Sequence, residues 1–91
     1  MAHNLFIAYD LVSPGQNYDA VIGAIKSLGA HCHIQLSMFY VHTDLTPQSA
    51  HDAVRSVMDP NDKLAVIDAN SAVITKYNPI LINDINTIWY T

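Results

Sequence analysis

The sequence predicts an α+β domain of βαββαβ order, the ferredoxin-like plan, followed by an apolar carboxyl-terminal extension. Three observations lead there. The runs Leu5-Phe6-Ile7-Ala8-Tyr9 and Leu64-Ala65-Val66-Ile67 are short, apolar and bounded by polar residues, as strands are. Two segments between them have the spacing of amphipathic helices. A long alternating stretch separates those helices, long enough to bend or split into two strands. The 91 residues suit one domain, 1–91, with a core over about 4–70 and an extension over about 71–91.

The elements follow in order. The first run reads as a central strand that Asp10 ends, and Ser13-Pro14-Gly15 then breaks the pattern. From Asn17, the positions Tyr18, Val21, Ile22, Ile25 and Leu28 fall on one helix face, with Gly29 where a C-cap glycine is expected. Over residues 30–43, Cys32, Ile34, Leu36 and Met38 alternate with His31, His33, Gln35, Ser37 and Phe39, and a bend or break is expected near Ser37. Thr46-Pro47 reads as an N-cap followed by proline at the first helical position. Ala50, Ala53, Val54 and Val57 give that second helix its buried stripe, Asp59-Pro60-Asn61-Asp62 ends it, and residues 64–67 form another buried strand. In the extension, residues 72–75 suit a short edge strand. Leu81, Ile82, Ile85, Ile88 and Trp89 have helical spacing, against which the isoleucines count, so strand and helix both stay open. Either way this tail is too apolar to stand in water and covers its own sheet or a partner's.

Composition narrows the function classes. Apolar residues make up 51% of the chain and charged residues 13%, more apolar surface than a small core readily hides, which favours a homo-oligomer. Eight Asp against Lys26, Arg55, Lys63 and Lys76 give a net charge of −4, and the four cations are scattered. Phosphate-backbone binding rests on clustered cations, so a nucleic-acid partner is disfavoured on charge. Cys32 is the single cysteine, which excludes an intrachain disulfide and points to the cytoplasm. No signal peptide is expected from Met1-Ala2-His3-Asn4, and no apolar run is long enough to span a membrane.

Few residues carry a chemical signal. Asp10 places a carboxylate at the sheet rim, where Mg or Mn is commonly held by one or two carboxylates plus water. Aspartate also ends strands for a purely local reason, by bonding to the following turn. His31 and His33 share a strand face and their rings could converge on a metal, although two ligands without a third equally describe solvated histidines. His3, His42 and His51 have no partner at recognisable spacing. Ser37 beside His33 has the residue types for an activated hydroxyl, yet no nucleophile elbow accompanies them. Trp89-Tyr90 suit either base stacking or closure of a small core.

Three segments taken together resemble a known group: Phe6-Ile7-Ala8-Tyr9-Asp10; Gly29 followed by His33-Ile34-Gln35-Leu36-Ser37-Met38-Phe39; and Asn61-Asp62-Lys63-Leu64-Ala65-Val66-Ile67. Their order is similar to that in the superfamily of the small CRISPR-associated adaptation subunit, the second core Cas protein, with its VapD-type ribonuclease relatives. The resemblance covers roughly residues 4–68. It implies a ferredoxin-like homodimer whose first-strand aspartate, here Asp10, binds Mg or Mn opposite its symmetry mate. Ser37, Gln35 and Phe39 match the group's serine, glutamine and aromatic, so Ser37 would assist catalysis; His31, His33, Gln35, Phe39 and Lys63 are the candidates to support it or bind substrate. It also implies that the end of the first strand lies near Ser37 or Met38 and near Lys63. Histidines stand where DNA-holding members carry cations, and the tail does not match, so a stand-alone relative is expected rather than an adaptation subunit. Two functions follow: a metal-dependent endonuclease acting on RNA or DNA, in the manner of an antiviral-defence or toxin–antitoxin protein, or a non-catalytic dimeric adaptor or regulator that binds a protein.

Overall fold

In a computed structural model, which describes residues 2–12 and 18–91, the chain runs β1 (His3–Asp10), α1 (Tyr18–Lys26), β2 (Ala30–Gln35), β3 (Met38–Thr43), α2 (Pro47–Arg55), β4 (Lys63–Asp68) and α3 (Pro79–Trp89). The break expected at Ser13-Pro14-Gly15 and the start expected at Asn17 lie outside the described residues. The four strands form one antiparallel sheet in the order β2-β3-β1-β4. β1 is therefore interior. Met38 stands opposite its Ala8, and Lys63 opposite its Asp10.

Strand alternation divides the sheet into two faces. Leu5, Ile7 and Tyr9 of β1 point one way, with Phe39 and Val41 of β3 and Leu64 and Val66 of β4. They meet Val21 and Ile25 of α1 and Ala50 and Val54 of α2 in the larger core. Phe6 of β1, Tyr40 of β3, and Cys32 and Ile34 of β2 point the other way, against Leu81, Ile85, Ile88 and Trp89 of α3. The sheet is thus sandwiched, by α1 and α2 across one face and by α3 over the β2–β3 half of the other.

The long alternating stretch splits where it was expected to. Residues 36–37 turn between β2 and β3, and the Ser37 carbonyl accepts from the Tyr9 N–H at 3.0 Å. Its alternation is not continuous, because the register slips between His33 and Gln35 and sets Gln35 opposite Met38. That bulge moves Gln35 off the histidine face, where its Oε1 accepts from Tyr77 Oη at 2.8 Å. Leu36, expected on one strand face with Cys32, Ile34 and Met38, lies in the turn and is 89% exposed.

Several local expectations are corrected. Gly29 is no C-cap in the left-handed region, since α1 ends at Lys26. A Cβ at Gly29 would stand 2.1 Å from the His42 carbonyl oxygen, so glycine is there for the close approach of β3. In α2, the Thr46 hydroxyl accepts from the Ser49 N–H as an N-cap, but only Ala50 and Val54 are buried, while Ala53 and Val57 are exposed. β4 pairs on one side only, so it is an edge strand with Leu64 and Val66 half-buried and Ala65 and Ile67 exposed, not a buried strand. Residues 72–75 form no strand. The tail is a helix, started by Asn78, whose side chain accepts from the Ile80 N–H at 2.8 Å, and by Pro79 behind it. Packing against Tyr40 and Cys32 outweighs the weak helix propensity of its isoleucines.

Candidate functional site

Asp10 ends β1 at the rim of the sheet and is exposed. Among the described residues its carboxylate makes no hydrogen bond or ion pair, and the turn that would supply a local partner, residues 13–17, lies outside them. The antiparallel register sets Lys63 directly opposite. An open depression of about 250 Å³ lies over this end of the β1–β4 pair, lined by Ala8, Tyr9, Asp10, Lys63, Leu64 and Ala65. It offers one carboxylate and one ammonium group on an apolar floor.

The residues expected to join Asp10 are dispersed by the sheet. Ser37 is a backbone neighbour of β1, but it bonds to Tyr9, the residue one position out of phase with Asp10. His31 and His33 stand opposite Val41 and Phe39, whose side chains belong to the α1–α2 core, whereas Ala8 and Asp10 alternate with that set. The His33 ring lies parallel to the Phe39 ring with centroids 4.3 Å apart, and His31 approaches the same ring at 6.4 Å. Their ring nitrogens meet backbone carbonyls, His31 Nδ1 at 3.0 Å from Gly29 O and His33 Nε2 at 3.4 Å from Leu36 O. Both histidines therefore close the edge of the core over Phe39, which is buried and unavailable to a substrate. Gln35 is engaged by Tyr77. No group of three His, Cys, Asp or Glu that could hold a metal occurs among the described residues.

Two arrangements had no signal in the spacing. Asp62, 9% exposed, accepts the Val12 N–H with Oδ1 and the Asp59 N–H with Oδ2, both at 3.0 Å, and so ties the segment after β1 to the loop before β4. Arg55 completes that loop by donating to the carbonyls of Asp59, Pro60 and Asp62. Together they fix the position of Lys63 relative to the end of β1. On the other half of the sheet, Asn4 Oδ1 accepts from Tyr40 Oη at 2.5 Å and His42 Nδ1 at 2.9 Å, and Asn4 Nδ2 donates to the Trp89 carbonyl at 3.4 Å. Burial, reinforced by Cys32, pushes the Tyr40 hydroxyl up to about 12, and burial followed by Asp84 raises the Cys32 thiol. Neither group is a ready nucleophile near neutral pH.

No helix among the described residues is long and apolar enough to cross a membrane. No protein-family model, curated protein or solved structure matches the chain.

Proposed function

We propose that the chain is a ferredoxin-like, stand-alone relative of the small CRISPR-associated adaptation subunit and its VapD-type kin, acting as a homodimeric Mg- or Mn-dependent endonuclease. The βαββαβ core and the strand order β2-β3-β1-β4 support the fold reading. The observation that carries the activity is the Asp10 carboxylate, exposed and without a partner among the described residues at the end of an interior strand, with Lys63 opposite. Its hard oxygens suit Mg or Mn better than softer metals. One residue is an incomplete ligand set, which is why the reading requires Asp10 of a second copy and bound water to complete it. A divalent cation held there would supply an activated water and neutralise charge on the phosphoryl oxygens. Lys63 would draw the phosphate towards the carboxylate and offset the acidic surface locally.

The test is cleavage of single-stranded RNA and DNA with Mg or Mn, by wild type and Asp10→Ala, with light scattering on both. A dimer that cleaves only with metal, and a dimeric variant that does not cleave, is the expected result. Equal cleavage by the variant, or a monomeric wild type, overturns the reading. A non-catalytic adaptor is the second reading, favoured by Leu36, Ile67 and Val73, which present apolar surface to solvent, Val73 at 98% exposure. A wild type that cleaves nothing while retaining a stoichiometric protein partner would favour it.

A further inference from the structure

A second cavity, of about 130 Å³, lies between β1, the segment that follows β4, and α3. Two of its walls are the rings of Phe6 and Trp89, which touch each other tilted at 46° with centroids 6.1 Å apart, and Ile85 lines it from α3. Around them stand Asn70, Ser71 and Asn86. The side chains of these three make no hydrogen bond within the described residues, so two amides and a hydroxyl around one small volume remain unspent. No lining residue is charged.

Each property restricts the occupant. A site without charge gives an ion no compensation, so the ligand is neutral. Aromatic walls favour a flat π-surface. Asparagine offers a donor and an acceptor side by side, the complement of a ring edge bearing adjacent carbonyl and amino or imino groups. The volume admits one or two fused small rings and excludes a larger cofactor. We propose that this cavity is a nucleobase subsite, in which Phe6 and Trp89 hold the base by its faces or edges and Asn70 and Asn86 hydrogen-bond its polar rim.

The position extends the endonuclease reading, on which the identity of the strand bearing the base rests. Phe6 and Asp10 lie on the same face of β1, four residues apart and hence separated by about 13 Å along the strand. A few nucleotides of an extended single strand span that gap. A base resting against the cavity-facing sides of Phe6 and Trp89 would then anchor the chain while a neighbouring phosphate reaches Asp10 and Lys63.

Trp89 is the chain's single tryptophan, so its fluorescence, excited at the red edge where bases absorb little, reports this cavity directly. Wild type, Asn70→Ala, Asn86→Ala and Asp10→Ala are titrated with the four ribonucleosides, with ribose 5-phosphate, and with short single-stranded oligonucleotides. At least one nucleoside should give a saturable change with a Kd on the order of millimolar, as suits so small a ligand. Each asparagine variant should weaken it roughly threefold to tenfold, the range of one lost hydrogen bond. Asp10→Ala should leave nucleoside binding unchanged, so a cavity that binds bases in a protein that does not cleave refutes the endonuclease alone. Oligonucleotides that bind no tighter than nucleosides would restrict the site to free bases and overturn its role in holding a strand. No saturable response to any nucleoside, an equal response to ribose 5-phosphate, or unchanged affinity in both asparagine variants overturns the subsite.

Discussion

Replacing Gly29 and Gly23 by alanine makes the same chemical change with opposite expected signs. A Cβ at Gly29 would sit 2.1 Å from the His42 carbonyl oxygen and 3.2 Å from its carbonyl carbon, where ordinary contact begins near 3.4 Å. Both atoms are backbone in β3, at the point where Ala30 pairs with His42, so no side chain can rotate away. The strand must shift by about an ångström or the hairpin must open at that end. Forcing atoms into a packed site costs typically 1–3 kcal/mol, and rigid backbone neighbours put Gly29→Ala at about 2–3 kcal/mol. A Cβ at Gly23, exposed within α1, meets nothing within 4 Å. There alanine replaces the poorer helix former, a gain of about 0.5–1 kcal/mol. For a domain of this size, about 1 kcal/mol moves Tm by roughly 4–8 °C. Circular dichroism melts should therefore show Gly29→Ala roughly 8–24 °C below wild type and Gly23→Ala a few degrees above it. A Gly29→Ala protein that melts with wild type would refute the close approach of the segment before β2 to β3, and a destabilised Gly23→Ala would refute the open surface at α1.

Two further outcomes follow from buried polar groups. The Tyr40 hydroxyl titrates at about 12 in the fold against 10.0 for a free tyrosine, so the folded state holds this proton through a window in which the unfolded chain has lost it. The stability this confers is complete below pH 10 and is lost as pH rises through 10 towards 12. Urea midpoints measured across that range should fall, and should fall less steeply in Tyr40→Phe, with Tyr9, also raised by burial, sustaining the remaining slope. An equal slope in Tyr40→Phe would refute the assignment. Asp62→Ala removes the acceptor of two backbone N–H groups and should cost about 2–4 kcal/mol by urea denaturation, with loss of amide-exchange protection at Val12 and Asp59; a change below about 1 kcal/mol would show that water replaces the carboxylate.

Much of this fold can be read from residue order, and the reasons for the rest are specific. The first apolar run, the Thr46-Pro47 helix start and the turn at Ser37 announce themselves because their causes are local: composition, capping and a polar break in an alternating pattern. The bulge between His33 and Gln35 has no local signature. It is set by the pairing of β2 with β3, and it alone decides that Gln35 leaves the histidine face. β4 looks buried in sequence because Leu64 to Ile67 are all apolar, yet only its contact with β1 and α2 determines which half of it is covered. The same limit governs the candidate site. Its place at the end of an apolar run singled out Asp10, the resemblance added Lys63, and pairing across the sheet made them neighbours. The histidines near Ser37 looked like a cluster because they are close in sequence, while strand alternation directs them away from Asp10 and onto Phe39. Asp62 and Asn4 carried no warning, since a polar residue acquires meaning from the backbone groups a distant segment brings to it.

The interior place of β1 also bears on how the chain acquires its structure. Neither neighbour of β1 is near it in sequence, for Leu5 pairs with Val41 on one side and with Asp68 on the other. Hairpin formation between β2 and β3 needs only a short loop, whereas joining β1 to β4 closes a loop over most of the core, so assembly is governed by distant rather than local encounters. During synthesis this apolar strand must wait for residues 38–43 to gain one neighbour and for residues beyond 60 to gain the other. Of the four strands, the first made is flanked on both sides only once the fourth has arrived.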